Sequence, residues 1–443
     1  MVKVITYGTY DCLHYGHIRL LQRAKALGDY LIVGITSEDF DRSRGKINVQ
    51  QSLEERIAAV RELGLADEII IEEYEGQKIE DILRYDIDIL TVGSDWKGKF
   101  DYLREYCQVV YLDRTDGISS TEIRSQQSLL HLGMVGNNRI LHKMLRESRY
   151  VNGLEVTGYY TSQTEHDVVE CPFYEHYSQL LDISDAVYIA ALPEKHYDLI
   201  RTALEAGKHV LCESPITVTR SQCRELMMLA KKKNRALVAA TKTAYATAYR
   251  RLILLVKSGK IGQVVSVDAT CTSLQDLADK TSGELKNCWN SINAWGPAAM
   301  LPIFQLLGTD YTTKRIVTKM DSRCKDFDLF TKIDFEYPDA TASLKVGKGV
   351  KSEGELIVSG TKGYVYVPAP WWKPSYFEIR YENPADNMRY FYQLEGEGLR
   401  YELVNFVHAV SNQHEVFPIQ NEISEAICSV IEDYMLKKDT VFI

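Results

Sequence analysis

The sequence of 443 residues contains no apolar run of about 18 or more residues and no long run of basic side chains. A helix that crosses a bilayer needs about 20 apolar residues, so we expect no membrane insertion. Because Met1 leads directly into the strand-like VKVITYG, we expect no signal peptide and a cytoplasmic protein. The net charge of −9 argues against general binding to nucleic acid or anionic lipid, so any phosphate site must be local.

The sequence also lacks paired cysteines. Its nine cysteines are odd in number, scattered along the chain, and include no CxxC pair. This pattern argues against a disulfide framework and against a structural zinc site. The spacing of the ten histidines does not suggest a closed metal cage either. We therefore predict buried, reduced thiols.

An apolar content of 45% and a charged content of 26% are ordinary values for packed globular domains. A chain of this length exceeds what one hydrophobic core serves, so two or three domains are expected. Over the first 124 residues, β-branched runs such as YLIVGIT alternate with amphipathic segments such as SLEERIAAVREL. This alternation predicts βα units around a parallel sheet, and we assign the resulting α/β domain to residues 1–128.

A second alternating series begins near His131 and predicts another Rossmann-like α/β domain over residues 129–250. From about Gly262 the pattern changes to one strand after another, as in QVVSVDATCT, TASLKVG and YVYVPA. This change predicts an α+β domain with one large, mostly antiparallel sheet over residues 251–443. A last amphipathic segment, EISEAICSVIEDYML, should form a helix that packs back on this domain.

The first candidate site is the stretch TYDCLHYGH at residues 9–17. It lies between a strand-like run and a helix-like run, at the sheet edge where helix N-termini offer free N–H groups and partial positive charge. His14 and His17 can project toward one point there, and Gly16 lets a phosphate approach the backbone. Taken alone, the pattern is equally compatible with ordinary surface or capping histidines.

Two further loops favour a nucleotide site. The segments VGSDWKGKF and RTDGISST also follow strand-like runs, so all three segments face the same edge of one sheet. Their Gly, Ser, Thr and Arg residues are suited to binding phosphate. We therefore predict that the three loops converge on a nucleotide.

The segments VITYGTYDCLHYGHIRLLQRAKALGDYLIV, VGSDWKGKFDYL and VVYLDRTDGISSTEI resemble the glycerol-3-phosphate cytidylyltransferase family of HxGH nucleotidyltransferases. The resemblance covers the whole first domain, residues 1 to about 125. It implies that CTP and a small polyol phosphate combine to give a CDP-alcohol and pyrophosphate. It also implies a place in cell-surface polysaccharide synthesis, which CDP-alcohols generally feed in this family. Positioning and charge stabilisation would supply most of the catalysis.

The same resemblance implies roles for individual residues. It places His14 and His17 at the α-phosphate and the leaving group. Mg²⁺ is expected to bridge the phosphates, with Asp11 as the nearest candidate ligand. The catalytic positions that it implies are His14, His17, Lys46 at the triphosphate, and Arg114. The nucleotide-binding positions that it implies are Thr9, Tyr10, Gly16, Asp95, Thr115, Gly117, Ile118, Ser119, Ser120 and Thr121.

The acceptor phosphate needs cations of its own. Arg44 and Lys78 match family lysines assigned to that substrate, although each is also compatible with a solvated surface charge. Glu75 stands where relatives carry a tryptophan, and Gly64 falls near where they carry an arginine. These departures leave the identity of the polyol phosphate open.

From about residue 131 to the end, the chain resembles the NAD(P)-dependent glucose-fructose oxidoreductase and inositol dehydrogenase family, Gfo/Idh/MocA. The resemblance lies in DAVYIAALPEKHYDLIRTALEAGKHVLCESPIT, RLILLVKSGKIGQVVSVDAT and ELIVSGTKGYVYV. It implies a Rossmann-like domain joined to the large sheet. Because that sheet usually makes the subunit contacts in this family, it also implies a homodimer or homotetramer.

The family's cofactor signature is incomplete. Its GxGxxG fingerprint lets the backbone approach a pyrophosphate. The matching run here, GNNRIL, keeps Gly136 but has Asn138 and Leu141 in the other two glycine places. The acidic residue expected to hold the ribose is replaced by Thr161 or Ser162.

The family's catalytic residues are also replaced. The EKP triplet is Glu213, Ser214 and Pro215 in this chain, and a serine hydroxyl cannot supply the positive charge of the lysine. By our alignment, Trp295 and Ala299 stand where the family has an Asp and His pair. We therefore expect no competent hydride transfer.

Three hypotheses describe the second half of the chain. It is a scaffold without hydride chemistry, a working NAD(P)-dependent reductase that makes the polyol phosphate in a bifunctional enzyme, or a sensing module. His196 and Lys242 remain near the expected cleft and could serve altered chemistry, although each is also compatible with an ordinary cleft residue. The scaffold hypothesis agrees best with the lost residues.

Overall fold

The computed structural model describes residues 1–11, 13, 15–43, 49, 51–74, 76–113, 129–136, 140–151, 153–162, 170–277, 279–392, 394, 396–411 and 418–443. The chain divides into two compact units, residues 1–129 with 151–153 and residues 130–150 with 154–443. The division of the second part into domains 129–250 and 251–443 stays a prediction, because both of its sheets lie in the second unit.

The described part of the first unit alternates strands and helices, as the β-branched and amphipathic runs predict. Its strands are β1 Lys3–Gly8, β2 Tyr30–Thr36, β3 Glu68–Glu72, β4 Ile89–Gly93 and β5 Gln108–Leu112. Its helices are α1 Tyr15–Lys25, α2 Glu38–Ser43, α3 Leu53–Glu62 and α4 Gln77–Tyr85, with 3₁₀ turns at Ser94–Trp96 and Asp101–Glu105. The strands form a parallel sheet in the order β3-β2-β1-β4-β5, which confirms the predicted α/β fold.

Both faces of this sheet are buried, because successive residues of a strand point to opposite faces. Val4 packs on one face with Leu21 of α1 and Val60 of α3. Its neighbour Ile5 packs on the other face with Ile82 of α4. With helices on both faces, the carboxyl edge of the sheet is the place where loops can form a site.

The second unit contains a second parallel sheet. Its strands are β6 Leu130–Gly136, β7 Leu154–Tyr160, β8 Phe173–Tyr174, β9 Ala186–Ala190, β10 His209–Glu213 and β11 Leu237–Ala240. Within the described residues their order is β11-β10-β9-β6-β7-β8. The helices that alternate with these strands are α5 Ile140–Ser148, α6 Tyr177–Asp182, α7 Pro193–Glu205 and α8 Arg220–Lys233. This arrangement confirms the predicted Rossmann-like fold.

The large sheet of the second unit is mixed and mostly antiparallel. Its strands are β12 Val264–Thr272, β13 Thr313–Met320, β14 Asp328–Glu336, β15 Thr341–Gly347, β16 Leu356–Gly360, β17 Tyr364–Val367, β18 Tyr376–Arg380, β19 Met388–Phe391 and β20 Thr440–Phe442. The order is β19-β18-β17-β16-β12-β15-β14-β13-β20. Among the described strands, the β12–β15 and β13–β20 pairs are parallel and the other pairs are antiparallel.

The second unit contains five further helices in its described residues. They are α9 Thr247–Lys257, α10 Ser282–Lys286, α11 Ser291–Leu307, α12 Leu399–Ser411 and α13 Asn421–Met435, with 3₁₀ turns at Lys242–Tyr245 and Pro384–Asp386. Helix α13 buries Ile423, Ile427, Val430 and Ile431, which recur at helical spacing, and it contacts α8 and α11. All eight cysteines among the described residues are free thiols. None of the helices in the described ranges has both the length and the apolar character needed to span a bilayer.

Candidate functional site

The turn after β1 holds Tyr10 in the left-handed region, with φ 53° and only 1% of the residue exposed. An aromatic residue is uncommon at positive φ and stays there only where the surrounding packing fixes it. Here the ring packs in the core with Val4, Leu21 and Val33. Burial raises the pKa of the Tyr10 phenol, so the side chain is neutral at physiological pH. Tyr10 therefore supports the sheet edge from within the core.

His17 is the third residue of α1, beside this turn. Its imidazole lies edge-on to the Tyr10 ring, with ring centroids 5.5 Å apart and ring planes at 70°. Aromatic rings prefer such an edge-to-face contact, which restricts the orientation of the imidazole. The first turn of α1 also carries the positive end of the helix dipole and the N–H groups that lack intrahelical partners. Gly16 precedes His17 in the same turn, whereas His14 lies outside the described residues.

A buried ion pair that the sequence analysis missed holds this edge together. Arg56 of α3 is fully buried, and its Nη1 donates to the backbone oxygens of Thr9 at 2.9 Å and Thr36 at 2.8 Å. The same nitrogen lies 3.4 Å from Oδ2 of Asp41. Asp41 in turn accepts a 2.7 Å hydrogen bond from the Thr9 hydroxyl. Arg56 thereby fixes the ends of β1 and β2 relative to each other.

One signal in the sequence could have identified Arg56. Helix α3 presents Leu53, Ile57 and Val60 at the spacing of a buried face, and all three contribute to the core. Arg56 lies on that same face, between these apolar residues. A charged residue on the core face of a helix requires a buried partner, which here is Asp41.

Asp11, the candidate magnesium ligand, has a structural role. It is 1% exposed, and its Oδ1 accepts a 3.0 Å hydrogen bond from the backbone amide of Gln51, just before α3. The described residues contain no cluster of three or more Asp, Glu, His or Cys side chains that could hold a metal ion. Asp11 thus stands as a single carboxylate in the described residues, and its role as a Mg²⁺ ligand beside substrate phosphates stays a prediction.

Lys78 does not carry the solvated surface charge that the sequence left as an alternative. It is 7% exposed at the start of α4 and forms an ion pair with Glu72 at the end of β3. Its ammonium lies 4.5 Å from the centroid of the Tyr7 ring and 5.4 Å from that of Phe100. Such contacts stabilise a desolvated cation. Lys78 is therefore a buried, paired cation near the carboxyl edge of β1 and β3.

The structure locates only part of the predicted site. The backbone of Asp95 lies in the 3₁₀ turn Ser94–Trp96 after β4, at the same sheet edge as Thr9 and His17. The convergence of the full residue set stays a prediction. The predicted residues outside the described ranges are His14, Arg44, Lys46, Arg114, Thr115, Gly117, Ile118, Ser119, Ser120, Thr121 and Asn138, together with Glu75.

In the second unit, Gly136 has a packing role of its own. It ends β6 with φ 138°, and a Cβ placed there would lie 2.6 Å from the carbonyl oxygen of Ala190 in β9. Glycine is therefore required by the close approach of these two strands. Leu141, in the last glycine place of the fingerprint, is 1% exposed in the core. Thr161, where an acidic residue was expected, is also buried.

The Glu213, Ser214 and Pro215 triplet begins with the last residue of β10 and forms hydrogen bonds with its neighbours. The Tyr188 hydroxyl donates to Glu213, and the Thr241 hydroxyl donates to Ser214 at 2.9 Å. The ring nitrogens of His196 lie 2.9 Å from the backbone oxygens of Pro215 and Ala191. Burial lowers the pKa of His196 to about 4, so this imidazole is neutral at pH 7. His196 thus holds two loops together.

Aromatic rings surround the position that corresponds to the family's Asp and His pair. Trp295 of α11 packs against Trp372, with ring centroids 4.9 Å apart, and Trp371 contacts Trp372 in turn. Ala299, one turn after Trp295, is fully buried. Neither indole nor methyl can exchange a proton with a sugar hydroxyl at neutral pH.

A second missed feature is the carboxylate of Glu402, near Glu213 and Lys242. Glu402 is fully buried in α12, and neither of its oxygens has a hydrogen-bond partner in the part of the chain that the structure describes. Burial and then the charge of Glu213 raise the pKa of Glu402 well above its ordinary value. Burial also raises the pKa of Glu213 to about 7. These carboxyl groups therefore hold protons in the folded state that the unfolded chain releases.

This arrangement predicts a pH-dependent effect of Glu402→Gln. Because the folded-state pKa values exceed the unfolded ones, the stability that the two carboxyl groups contribute is complete below about pH 4.5. The contribution of Glu213 is lost as the pH rises through about 7, and the raised pKa of Glu402 changes the stability in the same direction. We expect the variant to melt a few degrees above the wild type at pH 8 and to match it at pH 5, as measured by calorimetry. One pKa unit corresponds to about 1.4 kcal/mol. Glu382→Gln, at an exposed position, should show no such pH dependence.

The parallel sheet and the histidine at the start of α1 fit a nucleotidyltransferase of the α/β class. The chain belongs to the cytidylyltransferase-like family, whose model matches residues 5–126. Residues 130–241 match the model of the oxidoreductase family with an NAD-binding Rossmann fold. Both matches confirm the resemblances drawn from the sequence.

Three relatives of the first unit were compared with the chain. The glycerol-3-phosphate cytidylyltransferase of Bacillus spizizenii is 52% identical over 130 residues, which cover 29% of this chain and 100% of that protein. The enzymes of the same name are 48% identical over 126 residues in Bacillus subtilis, and 44% identical over 126 residues in Staphylococcus aureus. These matches cover 28% of this chain and 97% and 95% of those proteins, respectively.

The second unit has the fold of known reductases. A 3-ketoreductase from Actinomadura kijaniata, in complex with NADP and TDP-benzene, superposes with a TM-score of 0.63 at 18% sequence identity. It covers 71% of this chain and 100% of its own. An aldose-aldose oxidoreductase from Caulobacter crescentus, complexed with glycerol, gives a TM-score of 0.60 at 17% identity over 70% of this chain and 97% of its own. At these identities the likeness concerns the fold alone.

Proposed function

We propose that this chain transfers a cytidylyl group from CTP to a small polyol phosphate of the glycerol 3-phosphate kind. The products are a CDP-alcohol and pyrophosphate. The observation that carries the proposal is the 52% identity to a glycerol-3-phosphate cytidylyltransferase over the whole length of that enzyme. The placement of Thr9, Tyr10 and His17 at the carboxyl edge of a parallel sheet supports it.

The reaction is an in-line displacement at the α-phosphorus of CTP. A phosphate oxygen of the acceptor forms the new P–O bond, and the bond between the α-phosphorus and the oxygen bridging to the β-phosphate breaks. Pyrophosphate leaves with that electron pair. Negative charge spreads over the transferred phosphorus centre and the leaving group, so positioned hydrogen-bond donors supply most of the acceleration.

The described residues supply two parts of this mechanism. His17, held by the Tyr10 ring, donates an N–H toward the charge that develops at the α-phosphate. The first turn of α1 adds its partial positive charge at the same place. Arg56 and Asp41 keep the turn that carries Thr9 and Tyr10 at a fixed distance from β2. The chain therefore binds the triphosphate on a rigid edge.

The direct test is pyrophosphate release by the purified full-length chain. We expect release with CTP plus one polyol phosphate from a panel of three- to five-carbon acceptors, and little release with ATP, GTP or UTP. The panel identifies the acceptor that the departures at Gly64 and Glu75 leave open. Release with another nucleoside triphosphate but not with CTP would contradict the proposal.

Lys78 is the described candidate for holding the acceptor phosphate. We predict that Lys78→Met raises the KM for the polyol phosphate about tenfold or more and leaves the KM for CTP near its original value. The reason is that a charge-assisted hydrogen bond of about 1.5–3 kcal/mol is lost. Initial rates at varied concentrations of each substrate measure both constants.

Glu72→Gln is the matched comparison for this prediction, because it removes the carboxylate partner of Lys78 and keeps the ammonium. We expect it to leave the acceptor KM unchanged or lower it. If both variants raise the two KM values alike, Lys78 has a structural role only.

For the second unit, we propose a fold without hydride chemistry. Three findings support this reading, namely Ser214 in the place of the catalytic lysine, the Trp295–Trp372 pair, and the buried Ala299. Dinucleotide binding without turnover remains a second candidate. The match of residues 130–241 to an NAD-binding family model favours it.

Titration of the full-length chain with NADPH and NADH separates these readings. Calorimetry measures binding, and the absorbance of the reduced nicotinamide measures turnover with keto and aldehyde sugar phosphates. Binding without oxidation would support a sensing role. Oxidation of NAD(P)H coupled to acceptor formation would overturn the proposal in favour of a bifunctional enzyme.

A further inference from the structure

Three lysines of the second unit converge on one carboxylate oxygen. Lys143 Nζ lies 3.2 Å from Oε2 of Glu397, Lys242 Nζ lies 3.9 Å from the same oxygen, and Lys373 donates a short hydrogen bond to it. Lys143 belongs to α5, Lys242 to the 3₁₀ turn after β11, and Lys373 to the segment after β17. We call these four residues the Glu397 cluster.

The Glu397 cluster carries excess positive charge, since three ammonium groups surround one carboxylate. The neighbouring Arg400 adds none, because its guanidinium is paired with Glu147 at 2.9 Å. Besides Glu397, the carboxyl groups that act on Lys242 are Glu402 and Glu213, and burial raises the pKa of both. The cluster therefore has more cationic than anionic groups. Its side chains are 26–39% exposed, so a ligand from solvent can reach them.

A hydrogen bond joins the segments that carry Lys242 and Lys373. The Thr243 hydroxyl, next to Lys242, donates a 3.1 Å hydrogen bond to the backbone oxygen of Trp372, next to Lys373. This bond fixes the two lysine-bearing segments relative to each other. Charged groups that are fixed before binding lose little conformational entropy when a ligand arrives.

The turn that carries Glu397 is anchored separately. A Cβ at the preceding Gly396 would lie 2.1 Å from Oε1 of Glu147 and 2.7 Å from Nη2 of Arg400. A side chain at this position would require the ion pair to shift, and the backbone φ of 58° also favours glycine. The turn therefore holds the Glu397 carboxylate among the three lysines, at the position that an anionic ligand would take.

We propose that Lys143, Lys242 and Lys373 form a binding site for the phosphate group of a small phosphate ester, and that Glu397 is a built-in competitor for this site. A phosphate monoester carries nearly two negative charges and three acceptor oxygens, which match three lysine donors better than one carboxylate oxygen does. Trp372 precedes Lys373 in the chain, and its ring packs against Trp295. This site uses side-chain cations, whereas a dinucleotide fingerprint uses the backbone of a glycine loop.

The experiment uses the full-length chain labelled with 5-fluorotryptophan and follows ¹⁹F NMR during titration with inorganic phosphate at constant ionic strength. The chain has five tryptophans, and Trp372→Phe assigns the resonance next to Lys373. We expect Glu397→Gln to lower the phosphate concentration at half-saturation of this resonance about tenfold, since the competing charge is gone. The first unit does not affect this readout, because its tryptophan is Trp96.

Lys143→Ala and Lys373→Ala should raise the half-saturation concentration about tenfold or more. Two variants at exposed positions of the same unit, Glu382→Gln and Lys351→Ala, are the matched controls and should leave it unchanged. An equal response of wild type and Glu397→Gln would overturn the proposal. If Glu397→Gln does not fold, the two lysine variants test the proposal. An unchanged phosphate concentration at half-saturation in both of them would also overturn it.

Titrations with glycerol 3-phosphate and with NADP⁺ then distinguish two sources of the phosphate. A larger effect of Glu397→Gln on the polyol phosphate would identify the site as one for the substrate class of the first unit. A parallel titration with NAD⁺ is the comparison for NADP⁺. If Glu397→Gln lowers the half-saturation concentration of NADP⁺ more than that of NAD⁺, the site binds the 2′-phosphate of the dinucleotide. Either result supports a phosphate-ester site. No effect on any of these ligands would contradict it.

Discussion

His17→Ala should reduce pyrophosphate release from CTP by about two to four orders of magnitude, because a positioned donor to the transferred phosphate is removed. The free energy of unfolding should change little, since His17 is half-buried and contributes to the core mainly through its contact with Tyr10. Coupled detection of pyrophosphate under saturating CTP and acceptor measures the loss in kcat.

His17→Gln provides the comparison, because its amide can donate a hydrogen bond from about the position of the imidazole Nε2. We expect it to retain more activity than the alanine variant. Tyr10→Phe keeps the ring that packs against His17 and should retain most of the activity. Near-normal turnover in His17→Ala would show that the donor at the helix start does not act on the reacting phosphate.

Arg56→Met should lower the free energy of unfolding of the first unit by about 3–5 kcal/mol, because it leaves the Asp41 carboxylate buried without its partner. The backbone oxygens of Thr9 and Thr36 lose their donor as well. Hydrogen-exchange mass spectrometry of peptides from β1 and β2 in the full-length chain measures the local loss of protection.

Arg61→Met is the matched control, since Arg61 lies at an exposed position of the same helix and should change stability by no more than about 0.5 kcal/mol. The double variant Arg56→Met with Asp41→Asn should recover part of the loss, because the unpaired charge is removed. Equal protection in the two methionine variants would show that the ion pair does not stabilise the sheet edge.

The sequence predicted the fold well because its signals are local. Each β-branched run is followed by an amphipathic segment with one apolar face, and parallel sheets buried on both faces require this alternation. The change to one strand after another near Gly262 likewise marked the large sheet. Local periodicity determines these elements without knowledge of distant contacts.

The sequence predicted the site less completely because its supports are non-local. Arg56 and Asp41 lie on different helices, and their pairing depends on how α2 and α3 pack near the end of β1. The sequence assigned Lys78 to the acceptor phosphate and left a surface charge as the alternative. Its burial against Glu72, Tyr7 and Phe100 could not be predicted. Long-range packing of this kind leaves no periodic trace in the chain.

The second unit shows the same difference between local and non-local features, at the positions that correspond to the family's catalytic residues. The replacement of the catalytic lysine by Ser214 is visible in the sequence, whereas the Trp295–Trp372 contact joins positions 77 residues apart and is not. The buried Glu402 and the Glu397 cluster also depend on α12 and its preceding turn approaching α5 and β10. The replaced family residues can be identified in the sequence, but the contacts of the groups that lie in this region cannot.

The contact of Gly136 with Ala190 bears on how such chains evolve. The close approach of β6 and β9 requires glycine at position 136, whether or not a dinucleotide binds. A lineage that gave up the coenzyme would still be selected to keep this position, while neighbouring fingerprint positions were released from constraint. Gly136 is therefore explained by the packing of β6 against β9, and its presence alone does not indicate whether a coenzyme binds.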